Sequence, residues 1–297
     1  MPPVPWVDVS RRRLLLAAGA LALPFSFARA QEEPSTGGGN FSLFVPTPDA
    51  AVTRMLEIAG VKPSDYVIDL GSGDGRIVIA AARKYGARGL GVDIDAELVE
   101  KSRAAAAEAG VAGRVKFDAM DVMAADLRGA TVVTMYLFPE LLTQLRPKLM
   151  RELAPGTRIV VHDFGFPAWD PDETESFFVP EKYFNRGGDS RVSLWIVPAQ
   201  VEGRWRLTFE GGAPAPLTFR LQQAYQMLQI VPEGRPPGVT PGSGRLRGAD
   251  IELKWVLPVQ GRLRPHDLTG RVSGETMAGV VRRADGTTVN WSASRVQ

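Results

Sequence analysis

The sequence predicts an α/β fold, a doubly wound sheet followed by a C-terminal antiparallel β sheet or small barrel, and three observations carry that prediction. Between Tyr66 and Asp163, short apolar runs alternate with segments of helical periodicity, as in strands joined by crossover helices. The first of these runs leads into a glycine-dense turn, Gly71-Ser72-Gly73-Asp74-Gly75. After Ala199 the helical segments give way to short apolar runs separated by Gly-Gly, Pro-Gly and Asp-Gly turns.

Residues 1–30 read as a twin-arginine-type export signal. Ser10-Arg11-Arg12-Arg13-Leu14-Leu15 precedes the apolar run Leu14 to Phe27 and the small-residue cleavage site Ala28-Arg29-Ala30. This implies a periplasmic or exported protein whose membrane contact is confined to the signal. An uncleaved anchor is the alternative, although the run falls short of the roughly 20 apolar residues of a comfortable span. Residues 31–40 are a polar, glycine-rich tether. The chain carries a net charge of +2, of which residues 1–30 hold +3, residues 31–199 hold −6 and residues 200–297 hold +5. Without its signal the chain has no basic excess, so no nucleic-acid partner is expected. There is no Cys and there are only two His, His162 and His266, which excludes disulfides, thiolate chemistry and a His-rich metal site.

Order is expected from Phe41. A helix over Ala50 to Ala59, capped by Thr47 or Asp49 and ended by Gly60, buries Ala51, Val52, Met55, Ile58 and Ala59. Strands are expected at Tyr66 to Leu70, Gly89 to Asp93, Val115 to Met120, Thr131 to Leu137 and Arg158 to Asp163, with a last strand at Arg191 to Ala199. Helices are expected from about Asp74 to Tyr85, from Ala96 to Ala109 with Asp95 as N-cap, and from Pro139 to Leu153. Residues 165–191 read as a long polar and aromatic connection, a candidate lid with an acidic cluster at Asp170 to Glu175. The chain thus divides into residues 41–199 and a C-terminal β domain at residues 200–297. In the latter, Gly244 to Arg247, Gly261 to Arg264 and Gly270 to Ser273 look like a recurring hairpin motif.

The acids gather at one edge of the predicted sheet. Asp69, Asp93 and Asp163 end strands and Asp121 follows one, and clustering carboxylates is unfavourable unless a ligand uses them. Each taken singly is also an ordinary turn former or helix cap. The glycine turn matches neither a phosphate-cradling loop, which needs Lys after its last glycine, nor the G-x-G-x-x-G spacing of pyrophosphate sites. Asp69 in front of it suits a ligand with an ammonium group and no phosphate there.

Asp69-Leu70-Gly71-Ser72-Gly73-Asp74-Gly75 resembles motif I of class I S-adenosylmethionine (SAM)-dependent methyltransferases, whose sheet is Rossmann-like. Gly91-Val92-Asp93-Ile94-Asp95 resembles their second motif, and Asp121 the acid that meets the adenine amine. The resemblance implies a SAM site built by Asp69, Gly71, Ser72, Gly73, Asp74, Gly75, Asp93 and Asp121, with the glycines along the methionine moiety and Asp93 on the ribose. Phe44-Val45-Pro46-Thr47-Pro48, Leu137-Phe138-Pro139-Glu140 and Phe164 to Trp169 look similar to the small lysine methyltransferases related to the ATP synthase c-subunit enzyme. The activity implied is methyl transfer to a nucleophile, with a protein lysine as a candidate acceptor; the alternative is an exported binding module that keeps the SAM fold without sustained catalysis. Tyr136-Leu137-Phe138-Pro139 stands where amide and adenine methyltransferases carry Asn-Pro-Pro-Tyr/Phe. Catalytic candidates are Tyr136, Glu140, His162 and Asp163, with Phe164, Phe166 and Trp169 as walls. Alternative readings make Tyr136 a core aromatic, Glu140 a helix-start acid, His162 a satisfied strand histidine and the aromatic run plain packing.

Overall fold

A computed structural model describes residues 44–182, 186–212, 215–234, 238–259, 262–282 and 287–296. The signal and tether readings at residues 1–40, and the expected onset of order at Phe41, lie outside the described residues. Among the described residues, no helix is long and apolar enough to cross a membrane.

Seven strands form one sheet in the order β3-β2-β1-β4-β5-β7-β6. β1 (Tyr66–Leu70), β2 (Arg88–Asp93), β3 (Val115–Ala119), β4 (Val132–Met135) and β5 (Arg158–His162) are parallel. β7 (Gly188–Ile196) runs antiparallel between β5 and β6 (Glu173–Val179). Strand order reverses at β1, which β2 and β4 flank, so a crevice opens above its carboxyl end.

Alternation along the strands gives the sheet two apolar faces. Val67, Val132 and Val160 pack with α1 (Asp49–Ile58) and α2 (Arg76–Tyr85), while Ile68, Leu70 and Val133 pack with Leu142, Leu145 and Leu149 of α4 (Pro139–Glu152). α3 (Ala96–Glu108) starts as expected, with the Asp95 carboxylate accepting from Glu97 N and Leu98 N. No helix joins β5 to β6. Residues 163–172 return across the α4 face instead, and Phe166, Trp169 and Trp195 fill the layer a helix would occupy.

The structure corrects several expectations. α1 has no side-chain cap; Pro48 occupies the cap position and the Thr47 carbonyl accepts from Arg76 Nη1 at 2.9 Å. α2 begins at Arg76 rather than Asp74, because Gly75 is left-handed (φ +78°) and cannot continue a right-handed helix. Residues 165–191 are not one long lid, since β6 and the start of β7 lie within them and pair. β6 escapes a reading of the sequence because it is an edge strand whose Glu173, Thr174 and Ser176 face solvent.

Residues 203–295 form a closed eight-stranded antiparallel barrel: β8 (Gly203–Phe209), β9 (Leu217–Ala224), β10 (Met227–Pro232), β11 (Gly242–Arg247), β12 (Asp250–Val259), β13 (Arg262–Ser273), β14 (Thr276–Arg282) and β15 (Thr288–Arg295). Trp205, Leu207, Phe219, Leu253, Trp255 and Leu268 fill its interior. β11 is a strand without the expected apolar pattern. Its Gly242 and Gly244 sit where a Cβ would come within 2.7 Å of the Lys254 and Glu252 carbonyls, so close strand approach takes the place of side-chain packing. The supposed hairpin repeat dissolves, because Arg262 to Arg264 and Gly270 to Ser273 begin and end the same strand, β13.

The barrel meets the α/β domain over the helix-free layer. Tyr225 stacks on Trp169 (centroids 5.3 Å apart, planes 8° apart), Gln226 Nε2 donates to the Asp170 carbonyl at 2.7 Å, and Arg245 pairs with the buried Asp172 at 2.8 Å. The last contact joins the basic barrel to the acidic α/β domain, as their opposite charges lead one to expect.

Candidate active site

The glycine turn closes the carboxyl end of β1. Gly71 N and Ser72 N both donate to the Val92 carbonyl (2.8 and 2.9 Å), tying the turn to β2. Gly71, Gly73 and Gly75 all have positive φ, which a side chain would strain. Their missing side chains also let neighbours close in, with Leu137 against Gly71, the Phe44 ring against Gly73, and Phe117 and Ser102 against Gly75. The Ser102 hydroxyl donates to the Gly73 carbonyl at 2.8 Å.

The three acids around the turn do different work. Asp93 accepts from Gly73 N through Oδ2 (2.8 Å) and from Asp95 N through Oδ1 (3.0 Å). A carboxylate offers about four acceptor positions, so capacity remains for ligand hydroxyls. Asp69 is fully buried, and its Oδ1 accepts the Thr134 hydroxyl at 2.6 Å across the Asp69–Thr134 register. Burial pushes its pKa up to about 7, and the charges of Asp93 and Asp74 add to the rise while the Thr134 bond opposes it. Such a carboxyl favours a neighbouring cation. Asp121 is exposed, its Oδ1 accepting from Met123 N in an Asx turn.

Two residues of the motif look elsewhere. Asp74 gives its carboxylate to Arg76 (2.6 to 3.1 Å), whose guanidinium also binds the Thr47 carbonyl and so fastens the start of α1 to the turn. Ser72 is buried beside Gly91 and Phe117, and its Oγ has no partner among the described residues.

At the tops of β4 and β5 the structure gathers Tyr136, His162 and Asp163. The Tyr136 ring lies 4.3 Å from the His162 ring and 6.1 Å from that of Phe164, and its hydroxyl is 3.4 Å from Asp163 Oδ2. His162 is fully buried against Ser190 Oγ (3.0 Å), and burial lowers its pKa to about 4. It is neutral at physiological pH; Nε2 also lies 3.5 Å from Asp163 Oδ1, but the buried Nδ1 has no hydrogen-bond partner among the described residues, so the satisfied strand histidine of the sequence reading is met at one ring nitrogen only. Glu140 is exposed in the first turn of α4, as a helix-start acid is. Phe166 and Trp169 are core residues under the barrel rather than walls of a substrate site, whereas Phe164 and the exposed Phe138 (centroids 6.5 Å apart) do stand at the edge.

Sequence reasoning missed Thr134 and Lys182. A threonine inside the apolar run Val132 to Met135, in register with Asp69, was a readable signal. Lys182 carried none, since only the pairing of β6 with β7 brings it to Asp163 (Nζ to Oδ2, 2.8 Å).

The strand order, the turn and the acids agree with what the chain is similar to. A family model described as the ANTKMT methyltransferase domain matches residues 69–173. The protein-lysine N-methyltransferase of Saccharolobus islandicus is 44% identical over 131 residues, which cover 44% of this chain and 81% of that protein. The lysine N-methyltransferase of the ATP synthase c-subunit from Mus musculus is 38% identical over 131 residues, 44% of this chain and 52% of the mouse protein, so the chain spans about half the length of that relative. An RNA methyltransferase from Salinibacter ruber, solved in complex with S-adenosyl-L-homocysteine, is 50% identical over 53% of this chain and 96% of its own, with a TM-score of 0.48.

Proposed function

We infer the acceptor from one premise: the chain belongs to the family of class I SAM-dependent methyltransferases that includes the protein-lysine N-methyltransferase of Saccharolobus islandicus. It is a methyltransferase with SAM as cofactor, and on this reading the methyl group goes to the ε-amine of a lysine in a protein. The observation that carries it is the carboxylate of Asp163 beside the Tyr136 hydroxyl, at the sheet edge next to the cofactor crevice. A carboxylate there attracts a lysine ammonium. A nucleic-acid acceptor is disfavoured by the −6 charge of residues 31–199.

The residues fit the cofactor. The positive-φ glycines give a close backbone surface, Asp93 retains free acceptor positions, and Asp69 is a buried acid with no ion pair among the described residues. Asp69 would hold the amino group, Asp93 the ribose and Asp121 the adenine end. When bound, SAM supplies a sulfonium-activated methyl group. The chain's own task is to orient an amine in line with it, exclude water and accept the amine's proton. Thr134 and Tyr136 share one face of the sheet and link the Asp69 side to the Asp163 side.

The test is incubation with methyl-labelled SAM and lysine-rich proteins or RNA, followed by mass spectrometry. Methyl marks on lysine that disappear with Asp93→Ala are expected; label in RNA, or no transfer, overturns the reading. The twin-arginine pattern at residues 1–30 supports the further proposal of an acceptor in the cell envelope, which fractionation by immunoblot checks.

A further inference from the structure

The end of β6 and the start of β7 stand at the carboxyl edge of the sheet, and Lys182 follows β6 there. Val179 pairs with Gly188, four residues before Val192, which faces the last residue of β5. Lys182 reaches back until it is 7% exposed, donating to the Asp189 carbonyl and placing Nζ 2.8 Å from Asp163 Oδ2. Asp163 is left-handed (φ +61°), a conformation that costs a non-glycine residue energy and collects at functional sites. It is held there by Arg191, whose N donates to Oδ1 (3.0 Å) and whose Nη2 donates to the Asp163 carbonyl (2.9 Å). Tyr136 stands over the same Oδ2, two residues from the Thr134 that holds Asp69. A line of polar side chains therefore runs from Asp69 across β4 to Asp163.

We propose that Asp163, with the Tyr136 hydroxyl and the Phe164 ring beside it, is the docking site for a primary ammonium of the acceptor, and that Lys182 is an internal ammonium which the acceptor displaces. This rests on the lysine reading above. An incoming lysine presents the same head group as Lys182, so the exchange keeps the buried charge balanced. Neither a carboxylate nor an ammonium is left alone in the protein, which is what makes breaking a buried pair unfavourable. A bond serving only to fasten β6 to β7 has no need of a left-handed acid next to the cofactor crevice.

The probe is butylammonium, the head of a lysine side chain, titrated by calorimetry into the full chain loaded with S-adenosylhomocysteine. Lys182→Met is expected to bind it at least tenfold more tightly than the wild type, and Asp163→Asn to lose it. Equal or weaker binding by Lys182→Met overturns the proposal. Should that variant not fold, the wild type decides: acylation of Lys182, read by mass spectrometry, should rise severalfold on adding butylammonium, and unchanged labelling overturns the exchange. Methyl transfer is scored separately. Transfer to lysine without exchange at Lys182 sinks this inference alone, whereas exchange without transfer to lysine sinks the acceptor reading and leaves the ammonium site standing.

Discussion

Replacing Asp69 with Asn separates what the cofactor crevice needs from what the fold tolerates. The carboxyl is buried with one hydroxyl for company and its pKa stands near 7, against 3.8 in an unfolded chain. Between those values the folded state binds more protons than the unfolded state. This residue's contribution to stability is therefore fully present at low pH and is lost as pH rises through 7. A tenfold change in proton activity is worth about 1.4 kcal/mol, so the wild type should lose about 3 kcal/mol from pH 5 to pH 8 through this one group. Asp69→Asn should lack that loss. Urea melts of both proteins at the two pH values isolate the effect, because all other titrations cancel in the double difference. The same carboxyl should be ionised when a cofactor ammonium sits against it. SAM binding at pH 6, where the cofactor's amino group is already an ammonium, should then release about 0.9 proton, read by calorimetry in buffers of different ionisation heat. Asp69→Asn should bind SAM weakly and release no proton. A wild type whose stability tracks that of Asp69→Asn across pH, or a release that survives the substitution, would refute the reasoning.

Other expectations follow from the packing. Trp169→Ala should cost roughly 3–5 kcal/mol, measured by denaturant melts, while leaving KM for SAM unchanged at a permissive temperature, since the ring is core and not a site wall. His162 is held neutral with its pKa near 4, so stability should fall as pH drops below the unfolded value of 6.5, and His162→Gln should flatten that limb of the pH profile without shifting any optimum above pH 6. Gly73→Ala places a Cβ at φ +52° against the Phe44 ring and should abolish SAM binding in calorimetry while the barrel stays folded by near-ultraviolet circular dichroism. Arg245→Ala leaves the buried Asp172 without its guanidinium but keeps its bond from Ile196 N; because the arginine is half-exposed, the loss should be about 1 kcal/mol in the same melts.

What could be read from the sequence follows a physical line. β1 and α3 were legible because local signals and tertiary need coincide: Val67, Ile68 and Leu70 are apolar and buried, and Asp95 caps the helix it precedes. The crevice acids were legible because they terminate such strands. β6 was not, since an edge strand facing water carries Glu, Thr and Ser where a central strand carries Val. β11 hid behind glycines required by the approach of neighbouring carbonyls. The meaning of Phe166 and Trp169 was beyond local reading, because an aromatic run looks the same whether it walls a pocket or seats a second domain. Lys182 became visible only once β6 and β7 were paired.

The stacked Trp169 and Tyr225 bear on how the two halves can be inherited and handled. Composition changes sharply after Ala199, which invites cutting there, yet the core does not end at that point. Tyr225 belongs to the apolar cluster of the sheet, and the Ala199 N–H is bonded to the Gly248 carbonyl of the barrel. The barrel serves as the missing outer layer of the α/β domain. A truncation at residue 199 uncovers Trp169 and strips the guanidinium from Asp172, so the catalytic half should be insoluble alone and the intact chain should melt in one cooperative step. A soluble form of the α/β half alone therefore needs a redesigned 163–172 crossover, with polar residues where Phe166 and Trp169 now meet the barrel.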